Sequence, residues 1–131
     1  MSHEAKLTLY LNMYNLLILH GYVVLGIPDG LMKRIDFFKK AKYEIDGLTL
    51  SALELEHAIL RAKSSPPDLG ILGGFFLSIP KYGSKSAYGP LLLTRPEVLV
   101  SFALWNGAVD GPRLPEIFRG ETVHSQLLHC A

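Results

Sequence analysis

From Leu7 to Ile27 the chain carries no Asp, Glu, Lys or Arg, and that run constrains the fold more than any other feature. A bilayer core is spanned by about 20 apolar helical residues, so a run of this length is either a membrane segment or the central helix of a packed core. Thr8, Asn12, Asn15 and His20 interrupt it, and a bilayer interior penalises such groups. A secretory signal fits no better, because the leading MSHEAK balances one Lys against one Glu and no small-x-small site follows the run. We read a buried helix over Glu4–Leu25, stopped by Gly26 with Pro28 just beyond. A membrane segment is the alternative, and a mean hydropathy of +0.24 keeps it open.

The rest of the composition bounds the answer further. At 131 residues the chain makes at most one ordinary domain, read here over residues 4–130. With 49% hydrophobic and 19% charged residues it is too apolar for global disorder. A formal net charge of +1 gives no global pull toward nucleic acid, and no nucleic-acid partner is expected. The single cysteine, Cys130, excludes an internal disulfide and fits a reducing, cytoplasmic setting.

Beyond the first helix, Leu31, Ile35 and Phe38 recur at helical spacing, predicting a second helix from about Gly30 to Ala41 with Asp29 as N-cap. Tyr43–Leu50 alternates on either side of Asp46-Gly47 and reads as a hairpin. Ser51-Ala-Leu-Glu54 is a capping box. The helix it opens should run to about Lys63, with Leu55, Ala58, Ile59 and Ala62 on one face. Residues 64–97 form a long loop rich in Pro and Gly. Its apolar Ile71, Leu72, Phe75, Phe76, Leu77 and Ile79 suit a flap over the core better than a solvated linker. Leu99–Leu104 reads as a short buried strand, Trp105–Arg113 as a turn-rich loop, and Thr122–Cys130 as a last helix. The fold class is α+β: a mainly helical single domain with a small β-hairpin element.

Three segments, in this order, resemble the Domain of Unknown Function 547 family. They are Tyr10-Leu-Asn-Met-Tyr-Asn-Leu-Leu-Ile-Leu-His20, Leu55-Glu-His-Ala-Ile-Leu-Arg61, and Val100-Ser-Phe-Ala-Leu104 followed by Gly107-Ala108 and Pro112. Family members stand behind leucine-zipper segments in plant proteins and beside glutaredoxin-like or DEP modules elsewhere. The resemblance therefore implies a scaffold or regulatory role. Many members place Asn-Cys before the Gly-Ala and Ser-Cys before the Pro, where this chain has Trp105-Asn106 and Asp110-Gly111. Thiol chemistry built on those cysteines is absent here. Members also extend past both ends, so the domain is expected to be incomplete at both.

Candidate chemistry is sparse. His57, beside Glu56 and near Arg61, is the best single acid–base candidate; the bland alternative is a half-buried histidine tying its helix to backbone. Asn12 and Asn15 share one face of the first helix with Thr8 and Leu19. Buried amides are costly unless paired, so they bind a ligand or satisfy backbone, with the Asn106–Asp110 loop as natural partner. Asp110, His57 and Cys130 make a nominal Cys-His-Asp set, but Cys130 is penultimate and poorly placed for precision. His124 and His129 are five apart, a poor helical spacing for metal ligands, and Gly70–Gly74 and Gly83–Ser86 lack the phosphate-loop pattern. No metal or cofactor is expected. Lys33, Arg34, Lys39, Lys40 and Lys42 form a basic helix face, either merely solvated or able to touch anionic lipid or nucleic acid.

These readings favour a non-catalytic protein-interaction or regulatory module whose partner is another protein or flanking segments of a longer chain. A degenerate thiol-hydrolase-like enzyme with His57 in a cleft is the alternative, and peripheral membrane attachment the second.

Overall fold

The computed structural model describes residues 1–62, 81–107, 112 and 114–131. Helix α1, His3–Leu25, starts where Ser2 caps it, the hydroxyl accepting from the Ala5 amide at 3.1 Å. Its buried positions include Leu7, Tyr10, Leu11, Tyr14, Leu17, Ile18 and Gly21. That spacing of three and four is the inward stripe of a core helix. By length and composition α1 is apolar enough to cross a membrane; here it lies against the segments 52–60 and 123–130. Gly26 ends it at φ 82°, donating its amide to the Tyr22 carbonyl at 3.1 Å, a left-handed stop that glycine adopts without steric cost.

Helix α2, Leu31–Lys40, follows the Gly26–Gly30 corner. Its N-cap is Gly30, without a side-chain cap, and not Asp29. Phe37 is its buried residue, while Leu31 is exposed and Ile35 and Phe38 are half-buried. Regular spacing favoured Leu31, Ile35 and Phe38, but close approach of the helices decides. Gly21 has no side chain, and the Phe37 ring fills the space a Cβ would occupy.

Strands β1, Lys42–Ile45, and β2, Leu48–Ser51, pair antiparallel with Ile45 opposite Leu48. Asp46 and Gly47 both take positive φ, 50° and 76°, as a two-residue hairpin turn demands. β2 runs directly into α3, Ala52–Glu54, through the expected capping box. The Ser51 hydroxyl accepts from the Glu54 amide at 3.2 Å, and Glu54 Oε2 accepts from the Ser51 amide at 2.8 Å. Burial pushes the Glu54 carboxyl up, but the Ser51 amide and hydroxyl and the Tyr82 hydroxyl outweigh it, so its pKa lies below the usual value. A carboxyl depressed in the fold stabilises above its unfolded pKa and stops doing so as pH falls through the folded value. Ser51→Ala should cost about 1 kcal/mol in urea denaturation at neutral pH.

The chain then widens. Residues Leu55–Leu60 form a π-helical segment, with the Arg61 amide donating to the Glu56 carbonyl at 2.8 Å. The extra residue per turn shifts the inward face. Leu55, Ala58, Ile59 and Leu60 are buried, whereas Ala62, expected inward from α-helical spacing, is exposed. Of the long loop, residues 63–80 lie outside the described set, including the apolar Ile71–Ile79 stretch. In its described part a 3-10 turn, Gly89–Leu91, precedes Leu93, which joins the core.

Leu99–Leu104 is not a strand. Val100–Ala103 forms one helical turn, α4, with the Phe102 amide donating to the Leu99 carbonyl at 3.1 Å. No described strand lies alongside it, and a local turn satisfies the backbone that a lone strand would leave unpaired. Helix α5, Val123–Cys130, closes the described fold. The result is α+β and mainly helical, with one two-stranded sheet among the described residues.

Candidate functional site

The π-helical turn sets the geometry of the best candidates. In an α-helix, residues five apart are rotated by about 140°. The wider turn brings Glu56 and Arg61 together instead, with Arg61 Nη1 3.7 Å from Glu56 Oε1. His57 Nε2 lies 3.8 Å from the same oxygen. The other oxygen of Glu56 accepts from the Tyr14 hydroxyl of α1 at 2.9 Å. Burial, reinforced by Glu56, raises the Tyr14 phenol well above its ordinary pKa, so it is a donor at any physiological pH. Burial lowers the pKa of His57; Glu56 opposes that shift and Arg61 adds to it. Two polar atoms here are buried without a partner, His57 Nδ1 and Arg61 Nε. π-turns often accompany functional positions.

On either side of Tyr14 in α1, the asparagines act as two backbone clamps. Asn15 accepts from the Trp105 amide at 2.9 Å and donates to the Ala103 carbonyl at 3.4 Å. Asn12 accepts from the Phe118 amide at 2.7 Å and donates to the Phe118 carbonyl at 2.9 Å. Each amide thus uses both ends on main chain, as a buried amide must. Asn15 grips the entry to the Asn106 loop, close to the expected partner, whereas Asn12 holds a later segment. Thr8 Oγ1, on the same face, is buried and unpartnered, and Leu19 is exposed. Asn106 contributes its carbonyl, which accepts from the Tyr22 hydroxyl. Asp110 lies outside the described residues.

Cys130 sits apart from this cluster, its thiol donating to Glu116 at 3.2 Å. Burial and the Glu116 carboxylate push its pKa up to about 11, so it stays a thiol and a poor nucleophile at neutral pH. His124 stands 3.9 Å from both Glu4 and Glu97. A further polar knot escaped the sequence reading. His3 is buried, with Nδ1 2.9 Å from Thr94 Oγ1 and Nε2 2.7 Å from Glu97 Oε1. Arg95 joins it by donating to Glu4 at 2.9 Å. It bridges the start of α1 to residues 94–97, a pairing that no local pattern announces.

A family model described as "Protein of unknown function, DUF547" matches residues 1–131. The chain belongs to this family. No curated protein and no solved structure matches it. Of the three motifs that resemble DUF547, the first lies on α1, which contacts the other two. Tyr14 meets Glu56 of the second, and Asn15 holds the end of the third. Tyr14 and Tyr22 are the participants that sequence reasoning missed. Tyr14 stood inside a quoted motif, and its spacing beside Asn15 was the available signal; nothing local marked Tyr22.

Proposed function

We propose that this DUF547 chain is a non-catalytic protein-interaction or regulatory module. The observation that carries the reading is how the motif polar groups are used. Asn12 and Asn15 hold backbone with both ends of each amide, and Glu56 accepts from Tyr14. Groups so engaged fix one packing arrangement and are not free to turn toward a substrate. The raised pKa of Cys130 also argues against a thiolate nucleophile.

The alternative, a degenerate hydrolase fold with His57 in a cleft, draws on the unpartnered His57 Nδ1 and Arg61 Nε beside a π-turn. Hydrolysis of p-nitrophenyl esters by the native chain and by His57→Ala separates the two. The proposal expects no His57-dependent turnover, with His57→Ala lowering the melting temperature. Turnover that His57→Ala abolishes at unchanged stability overturns it.

A pH series adds a structural readout. Because His57 has a lower pKa folded than unfolded, the unfolded chain binds the extra proton. Stability should therefore be complete above the unfolded value, roughly 6.5, and fall as pH drops through that value toward the folded one. His57→Leu should flatten this part of the melting profile between neutrality and pH 5.

A further inference from the structure

The end of α1 projects beyond the core. Every residue from Val23 to Ile27 is exposed, although a helix turn lying flat on a core would bury about one residue in four. Gly26 and Gly30 take positive φ with open space where a Cβ would stand. The corner carries six large apolar side chains in the open: Val23, Val24, Leu25, Ile27, Leu31 and Met32. Ile27 is 78% exposed and Leu31 72%. A contiguous exposed apolar patch of this kind marks a contact surface.

Charge is segregated to the same place. Residues 23–42 hold five of the chain's basic side chains, Lys33, Arg34, Lys39, Lys40 and Lys42, against Asp29 and Asp36. That stretch is formally +3 while the chain as a whole is +1, so the remainder is net negative. Asp36 is itself held by Lys40 at 2.7 Å. Two clefts flank the tip and share Leu25 and Lys40 in their walls, one of about 200 Å³ reaching Lys42 and the other, of about 360 Å³, reaching Lys33. An apolar prow with lysines set behind it can place its side chains among acyl chains while the long basic stems reach headgroup phosphates.

We propose that the α1–α2 corner docks on an anionic phospholipid bilayer. Charge complementarity selects this occupant: each basic residue near such a surface adds attraction that salt screens, and an acidic partner surface alone leaves the apolar tip in water. The proposal goes beyond the module reading above and is independent of His57.

The test is co-sedimentation of the 131-residue chain with vesicles. Binding to vesicles of phosphatidylcholine with roughly 30% phosphatidylserine should exceed binding to phosphatidylcholine alone by about tenfold and weaken with salt. Ile27→Ser/Leu31→Ser and Lys33→Glu/Lys40→Glu should each lose about tenfold. These side chains are exposed, so circular dichroism melts should stay within about 2 °C of the native chain. Leu128→Ser, at an exposed position of α5, should bind as the native chain does. Emission of Leu31→Trp should move to the blue on anionic vesicles as the tip enters the interface. Equal binding to both vesicle types overturns the proposal, as does equal loss in Leu128→Ser. Self-association that the tip substitutions abolish, without vesicle binding, also overturns it and makes the corner a protein contact.

Discussion

Asn15→Leu should destabilise the chain by about 3 kcal/mol, although it makes α1 more apolar. The substitution strips partners from the Trp105 amide and the Ala103 carbonyl, 90 and 88 residues away in sequence. An orphaned buried polar group costs about 1–3 kcal/mol; the Ala103 side is buried and Trp105 half-buried. Guanidinium denaturation followed by circular dichroism measures the loss. The sign discriminates between the two readings of the uncharged run: a bilayer-spanning helix gains from losing an amide, while a core helix that clamps backbone loses. An unchanged or raised midpoint would sink the clamp.

Gly21→Leu should cost about 3 kcal/mol or more. An added Cβ alone would stand 2.7 Å from Phe37 Cζ and 3.5 Å from the Ala41 Cβ, so α2 must move away. Gly21→Ala makes the sharper version. Alanine improves intrinsic helix propensity by about 1 kcal/mol, yet the contact with the Phe37 ring should reverse that gain. In the Gly21→Ala background, Phe37→Leu should recover part of the loss, a coupling that a double-mutant cycle reads directly. Additive effects would show that the ring moves aside freely.

Where local rules decide, the sequence was legible. Ser51 and Glu54 announce their capping box, Asp46-Gly47 its turn, and Gly26 the end of α1, because each works through atoms within four residues. The misreadings turn on features that the local pattern does not carry. Phe37 is buried in place of Leu31 because α1 offers a hollow at Gly21. Leu99–Leu104 has strand-like side chains, but no described strand lies beside it. The π-turn moved Ala62 outward and Leu60 inward, and no pattern in Leu55–Leu60 marks the extra residue. In the candidate site, Asn12, Asn15, Glu56 and His57 were visible as types. Their partners were legible only in part: backbone near Asn106 was named for the asparagines, whose clamps close over 88 to 106 residues, but Phe118 and the Tyr14 partner of Glu56 were not.

Those separations have a consequence for how the protein is made. α1 is translated before the backbone its asparagines hold, which follows 88 to 106 residues later. At about 5–20 residues per second, the helix waits several seconds before Trp105 and Phe118 exist to receive it. Throughout that interval Asn12 and Asn15 lack those partners, on a helix whose Leu7–Leu25 stretch carries no Asp, Glu, Lys or Arg and is set apart from a nascent membrane span by Thr8, the two asparagines and His20. Asn12 and Asn15 thus matter at two times: as fasteners once Trp105 and Phe118 are made, and before that as amides that a bilayer interior penalises.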